Sequence, residues 1–174
     1  MVALLRAVNV GGRKLPMARL RALCEELGWK DVTTYIQSGN VVFAAAAAVE
    51  LERELEHAIA RRFRLDVPVM VRTATQWRGY PAANPFPGAA REEPNRLMLL
   101  LSKEPPAADA AARLQQRAAD GERVSAGPDA LWIHFAGGSA RSKLTPSLID
   151  RTVGSPTTAR NYRTVTKLQE MLSA

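Results

Sequence analysis

The stretch 35–43 predicts a β-hairpin, and this feature constrains the fold more than any other. Two apolar-patterned arms flank the turn 38–40, where glycine or asparagine can take the positive φ angle that a tight turn requires. Apolar residues at helical spacing stand on both sides of the hairpin, over 16–28 and 51–63. With strands before and after these helices, the first half reads β-α-β-β-α-β, the split βαβ order of ferredoxin-like sheets.

The same order of elements returns in the second half of the chain. Between the halves, a Pro- and Gly-rich segment predicts a connector. We therefore expect an α+β fold of two pseudo-repeated ferredoxin-like halves packed together, each reading β-α-β-β-α-β-α. The predicted limits are 1–84 for the first subdomain, 85–95 for the connector and 96–174 for the second subdomain. The predicted elements of the second half are strands 96–101, 122–125, 130–135 and 157–160, a helix over 106–119, a helix beginning at Thr145-Pro146 and a final helix.

The composition excludes several classes of protein. A chain of 174 residues can bury a core without a metal or disulfide staple. Cys24, the single cysteine, lies among leucines that recur at helical spacing, and this pattern predicts a buried and unreactive thiol. Arg6 interrupts the first apolar run too early for a signal peptide, and the run 97–101 is too short for a membrane helix. We expect a cytoplasmic protein without membrane contact.

The net charge of +7 is unevenly distributed along the sequence. Residues 1–43 and 137–174 carry all of the excess positive charge, and the rest of the chain is neutral. Such segments attract polyanions through counterion release. A solvated basic surface in a protein of Arg-rich composition explains the same charge, and this alternative stays open.

Several sequence strings, taken together and in order, carry a resemblance to one family. The strings are Ala3-Leu4-Leu5-Arg6, Asn9-Val10-Gly11-Gly12, Tyr35 to Phe43, Asn84-Pro85-Phe86, Arg141 to Thr145, Thr157 to Asn161 and Thr164 to Leu168. By these strings the chain resembles, from end to end, the bacterial domain-of-unknown-function family numbered sixteen ninety-seven. The resemblance implies an α+β type of fold and carries over no activity. The chain departs from the usual pattern of that family at Ala7, at Tyr162 and in the alanine-rich segment 44–48.

A strand-to-helix turn near the N-terminus is the first candidate site. It runs from Asn9 through Gly11 and Gly12 to Arg13 and Lys14. Backbone N–H groups that glycines expose near a helix N-terminus can hold an anion, and the two cations add charge. The spacing matches neither nucleotide-binding glycine motif, so no nucleotide class is indicated. A plain glycine turn with solvated cations is the alternative.

The loop 137–143 repeats this chemistry in the second half. Two glycines precede Arg141, Ser142 and Lys143, which supply a guanidinium fork, a hydroxyl and an ammonium group. We expect a phosphate or carboxylate cradle. A Ser–Lys nucleophile pair is disfavoured, because adjacent residues in an extended loop rarely point the same way.

The final helix is the third candidate. Thr158 or Asn161 is expected to cap it, which places Arg160 and Lys167 near its start and on one side. Cations at a helix N-terminus oppose the helix dipole, and an anionic ligand relieves that cost. An ion-paired surface helix is the alternative.

The hairpin turn contributes a polar group made of Gln37, Ser38 and Asn40. These side chains can contact a base or sugar, or they can satisfy the backbone of their own turn. His57 and His134 lack a neighbouring Asp or Cys pattern, and we expect His134 either on a solvated sheet face or paired in the core. No metal-ligand motif appears, so neither a metal site nor a cofactor is predicted.

Three hypotheses follow for function. The first is a binding module for a phosphate-bearing ligand, nucleic acid included, that uses the basic glycine-containing loops. The second is a small metal-independent enzyme for an anionic metabolite, with Arg6, Asn9, Lys143 and Arg160 converging on a cleft between the subdomains. The third is a structural or oligomerisation module. The sequence decides neither catalysis nor the oligomeric state.

Overall fold

A computed structural model describes residues 1–12, 14–46 and 50–173. Arg13, one of the predicted cations, and part of the alanine-rich segment 44–48 lie outside the described residues. By its internal contacts the chain divides into two compact units. The first unit comprises Met1–Trp77 with Glu170–Ala174, and the second comprises Arg78–Gln169. The predicted subdomain limits at 84 and 96 remain predictions.

The described part of the first unit contains one four-stranded sheet with two helices that pack against it. Its strands run in the order β2-β3-β1-β4, and each neighbouring pair is antiparallel. This is the strand order that a split βαβ unit produces. The elements are β1 (Val2–Leu5), α1 (Met17–Glu26), β2 (Lys30–Tyr35), β3 (Asn40–Ala44), α2 (Leu51–Phe63) and β4 (Val69–Arg72), followed by α3 (Ala74–Ala82).

The core of this unit lies between the sheet and helices α1 and α2. The helical stripes predicted from sequence supply its side chains, with Leu20 from α1 and Leu55 and Ile59 from α2 fully buried. Trp29 stacks on Phe43 with 3.9 Å between ring centroids. Cys24 is buried in the same cluster, and burial, followed by the charge of Glu25, raises the pKa of its thiol to about 12.

The described part of the second unit repeats the arrangement. Its strands run in the order β6-β7-β5-β8, again with antiparallel neighbours. The predicted α+β fold of two pseudo-repeated halves is therefore confirmed. The elements are α4 (Pro87–Glu92), β5 (Leu97–Ser102), α5 (Ala110–Gln115), β6 (Arg123–Gly127), β7 (Ala130–His134), a 3₁₀ turn (Ser139–Arg141), α6 (Pro146–Val153), β8 (Thr157–Asn161) and α7 (Tyr162–Met171).

Some element limits differ from the sequence-based expectation. The apolar run 3–10 predicts one long first strand. The observed strand ends at Leu5, because Ala7 and Asn9 adopt positive φ angles of 51° and 56° that a strand cannot contain. Helix α5 is shorter than the predicted 106–119. The predicted connector contains a short helix, α4, which begins at Pro87, where a missing N–H costs nothing.

Candidate ligand-binding site

The segment between β1 and α1 forms a loop with an unusual backbone. Ala7, Asn9, Gly11 and Gly12 all have φ angles between 51° and 84°. Glycine adopts this left-handed region freely and asparagine tolerates it, whereas alanine is strained there. The backbone N–H of Arg6 donates to the carbonyl of Pro68 at 3.0 Å, which anchors the start of the loop beside β4. The half-buried Arg6 thus lies at the end of β1.

Asn9 holds this loop against the hairpin turn. Its side-chain Nδ2 donates to the carbonyls of Leu15 (3.0 Å) and Gln37 (2.7 Å), and its Oδ1 accepts from the N–H of Leu15 (2.9 Å). One amide therefore closes the loop on itself and ties it to a segment 28 residues away. Because these bonds occupy both of its donors, Asn9 shapes the site and has no N–H left for a ligand.

The hairpin turn is equally constrained. Gly39, at φ +78°, packs so closely that an added Cβ would lie 2.6 Å from Cγ2 of Val8 and 2.8 Å from Cβ of Leu5. Asn40 is fully buried, and its Nδ2 donates to the carbonyl of Tyr35 and to Oγ of Ser38. The amide of Asn40 therefore satisfies its own turn, which is one of the two alternatives that the sequence leaves open, and Ser38 accepts one of those bonds.

The loop and the turn enclose a cavity of about 490 Å³. Its lining brings together residues that the sequence analysis singled out in two separate segments. We find four of the predicted site residues in this lining, with Pro16 as the fifth member. The lining residues are Asn9, Gly12, Lys14, Pro16 and Gln37.

Positive potential at this cavity has two sources. Lys14 is exposed and forms no ion pair with any carboxylate that the structure describes. Helix α1 starts at Met17, and its N-cap residue Pro16 offers no side-chain acceptor, so no side chain caps the first N–H groups; the N–H of Arg19 donates to the carbonyl of Pro16 at 3.0 Å. A lysine ammonium and an uncapped helix N-terminus both favour a negatively charged group.

The loop 137–143 is arranged differently from its predicted counterpart. The hydroxyl of Ser142 donates to Oε1 of Glu122 and accepts from the N–H of Leu144 (3.1 Å). Oε2 of Glu122 accepts from the N–H groups of Ala119 (3.0 Å) and Asp120 (2.8 Å). Burial alone would raise the pKa of Glu122, but these hydrogen bonds outweigh it and hold the pKa below its ordinary value.

Ser142 is thus a structural tie, which corrects its expected role as a ligand contact. Arg141 and Lys143 remain exposed and form no ion pair with a described carboxylate. Helix α6 that follows is capped as predicted, because Oγ1 of Thr145 accepts from the N–H of Leu148 at 3.3 Å. Its N-terminus therefore presents fewer free donors than that of α1.

The third predicted segment separates into strand and helix. Arg160 lies on β8, is buried, and donates to Oγ1 of Thr158 and to the carbonyl of Ala159, each at 2.8 Å. Burial lowers the pKa of its guanidinium to about 10, which still leaves it charged at neutral pH. Arg160 therefore precedes the start of α7 by two residues, as expected, but its side chain is buried, and its role as a ligand contact stays a prediction. Asn161 caps α7 as expected by accepting from the N–H of Thr164 (2.9 Å), and Lys167 is exposed on that helix.

Two groups of interacting residues were not predicted from the sequence, namely the partners of His134 and a cluster of arginines. His134 is buried between Arg123, whose Nη2 lies 3.2 Å from its Nδ1, and Glu93, whose Oε2 lies 2.8 Å from its Nε2. This pairing matches the expected core histidine, although its partner lies 41 residues away in sequence. The hydrogen bond of Glu93 to His134, followed by its interactions with Arg96, lowers the pKa of Glu93, although desolvation acts in the opposite direction.

The second group is a set of three arginines: Arg113 on α5, Arg117 just after the end of that helix, and Arg151 on α6. Arg113 and Arg117 stand four residues apart, a spacing that was visible in sequence, in a region whose net charge is zero. Arg151 belongs to the basic segment 137–174. The net charge of a sequence region does not reveal such a cluster, because it averages over residues that lie far apart in the folded protein.

Across the described residues, no helix has the length and apolarity needed to cross a membrane.

Similarity to known proteins adds the family and the fold. No curated protein matches the sequence. Among solved structures, the conserved bacterial protein SP0830 from Streptococcus pneumoniae has the same fold, with a TM-score of 0.70 and 21% identity over 99% of this chain and 97% of that protein.

A family model agrees with this likeness. The model described as "Protein of unknown function (DUF1697)" matches residues 1–132, well over half of the chain. The resemblance inferred from the sequence strings is thereby confirmed. The chain belongs to the DUF1697 family of proteins of unknown function.

Proposed function

We propose that the first unit is a binding module for a phosphate-bearing ligand, which it holds in the cavity between the 6–16 loop and the hairpin turn. One observation carries the proposal: Asn9, Gly12, Lys14 and Gln37, which the sequence offered as ligand-binding candidates in two separate segments, line a single cavity. Its volume of about 490 Å³ suits a small ligand or one nucleotide of a longer chain.

Each part of the cavity has a distinct role. Lys14 supplies charge, and the first N–H groups of α1 supply directed donors for phosphate oxygens. Gln37 is exposed opposite them, where its amide can donate to or accept from the rest of the ligand. Asn9 keeps the loop and the turn at the spacing that forms the cavity.

Backbone strain supports a functional role for this region. Ile36, a β-branched residue, has a φ angle of 49°, and Ala7 and Asn9 also occupy the left-handed region. Such strain costs free energy and concentrates at binding sites. Val10 and Ile36, which adjoin the Asn9–Gln37 bond, are also 57% and 49% exposed, so apolar surface borders the cavity.

The decisive experiment is a titration with inorganic phosphate and with a 5′-phosphorylated oligonucleotide at rising salt concentration. We expect Lys14→Gln to weaken binding by about tenfold, the loss of one charge-assisted hydrogen bond. Lys30→Gln removes an equal charge from the exposed face of β2 and should leave binding unchanged.

The salt dependence distinguishes the ligands. A slope of log K against log salt near −1 indicates one phosphate contact, whereas a slope several times steeper indicates a polynucleotide. Absence of binding at low salt, or equal losses in Lys14→Gln and Lys30→Gln, would overturn the proposal.

A further inference from the structure

A second cavity, of about 440 Å³, lies in the second unit between helices α5 and α6. Three of the six residues that line it are arginines, and two of the others are polar. No acidic residue belongs to this lining in the part of the chain that the structure describes. The lining residues are Arg113, Gln116, Arg117, Leu148, Arg151 and Thr152.

Core packing places these arginines around one space. Leu114 of α5 and Ile149 of α6 are buried in the same apolar cluster, which holds the two helices side by side. Arg113 lies in the last turn of α5, Arg117 follows two residues after that helix ends, and Arg151 lies in the last turn of α6. The three guanidinium groups therefore border the groove beside the helix contact.

The positive charge of this cluster is largely uncompensated. Nη1 of Arg113 lies 3.4 Å from Oδ1 of Asp109, in an ion pair whose side chains are 49% and 65% exposed, so water screens it. Arg117 and Arg151 form no ion pair with any carboxylate in the described part of the chain. Like charges gathered at one cavity repel each other, and a bound anion removes that repulsion.

Helix dipoles offer a competing explanation. Arg113 and Arg151 lie in the last turns of their helices, where the negative end of the dipole favours a cation. That effect accounts for one cation at each helix end. It does not account for three guanidinium groups at one concave, mostly polar space.

We infer that this cavity is a second phosphate site, which binds a small compound carrying at least two negative charges, such as a pyrophosphate ester. The guanidinium fork matches two oxygens of a phosphate group, and several forks suit adjacent phosphates. The volume lies in the range of small-molecule sites. The inference is independent of the proposed function, since it concerns different residues in a different unit.

The test uses the full chain and inorganic pyrophosphate as the probe. Titration followed by amide NMR should shift the signals of residues 113–117 and 148–152, whatever happens at Gly12 and Lys14. Calorimetry should show Arg117→Gln and Arg151→Gln each weakening this site by about tenfold. Arg61→Gln, an exposed arginine of α2, is the matched control and should change nothing.

Thermal unfolding without ligand separates the two explanations. A ligand site predicts that Arg117→Gln and Arg151→Gln keep or raise the Tm, because they relieve repulsion. If both variants lower the Tm and bind pyrophosphate like the wild type, the arginines serve the helix dipoles and the inference fails. It also fails if pyrophosphate shifts no signal in either segment, or if only an oligonucleotide does so. If pyrophosphate shifts the signals of residues 113–117 and 148–152 but not the signal of Lys14, the result counts against the first site and supports this one.

Discussion

The two glycine-containing basic loops have almost the same composition and different structures. In the 6–16 loop, Lys14 is exposed at a cavity next to an uncapped helix. In the 137–143 loop, Ser142 donates to Glu122, and Thr145 caps the helix that follows. One loop therefore leaves its donors accessible, while the other uses much of its polar capacity internally.

The difference shows what loop composition leaves out. Glycine, hydroxyl and cationic residues can build an anion cradle, but only when no protein acceptor reaches them first. Glu122 is such an acceptor: it is buried, and it gathers a hydroxyl and two backbone N–H groups. A single carboxylate on an adjacent segment thus changes a candidate binding loop into a structural one.

The largest effect is expected at the first loop, from Gly39→Ala. The added Cβ would meet Val8 and Leu5 below 3 Å at a φ of +78°, so overpacking adds to backbone strain, and we expect a loss of about 3 kcal/mol in the free energy of unfolding. Urea denaturation measures it. Gly28→Ala is the control, because its φ is +84° with open space around it, and it should cost only about 1 kcal/mol. Equal losses in the two variants would show that the close packing of the hairpin against the loop has no energetic weight.

The second loop is tested by Glu122→Gln. The variant loses the charge that accepts three hydrogen bonds, and we expect a loss of about 2 kcal/mol at pH 7. Glu92→Gln, at an exposed position, should change stability by less than about 0.5 kcal/mol.

The pH dependence of this difference follows from the lowered pKa of Glu122. The stabilisation from its ionised form is present above the ordinary pKa of 4.5 and is lost as the pH falls through the lower pKa of the folded state. The stability gap between the wild type and Glu122→Gln should therefore narrow in acid. A gap that is constant from pH 7 to pH 3 would contradict the assigned role.

Asn9→Gly isolates the side-chain clamp of the first loop. Glycine accepts the φ of 56° without strain, so only the three hydrogen bonds to Leu15 and Gln37 are lost, and we expect a cost of about 1.5 kcal/mol. The amide signals of Leu15 and Gln37 should shift together in NMR spectra. A shift confined to one of the two segments would mean that Asn9 does not join them.

Ser142→Ala should have the smallest effect. It removes the hydroxyl between Glu122 and Leu144 and should lower the free energy of unfolding by about 1 kcal/mol. Phosphate binding should stay within twofold of the wild type, because the hydroxyl has a structural role. A tenfold loss of phosphate affinity with unchanged stability would restore Ser142 as a ligand residue.

Much of the fold was predictable because apolar periodicity is a local property. The stripe of Leu51, Leu55 and Ile59 predicted the observed span of α2, and Thr145 before Pro146 predicted the start of α6. The order of elements then predicted both sheets, since few topologies fit a repeated split βαβ pattern.

The site was less predictable because it depends on partners that are distant in sequence. The sequence around Ser142 does not indicate that Ser142 donates to Glu122, and the sequence around His134 does not indicate that His134 pairs with Glu93. The burial of Arg160 is different, since Arg160 lies on β8, which the sequence predicted as a strand over 157–160. The positive φ angles of Ala7 and Ile36 had no signal at all, because both residue types normally avoid that region.

The bond between Asn9 and the carbonyl of Gln37 has a consequence for engineering and for divergence within the family. Insertions or deletions in the 6–16 loop or in the hairpin turn would separate the amide from its acceptor. The lengths of these two segments therefore have to change together. Anyone transplanting this pocket onto another scaffold must move both pieces as a matched set.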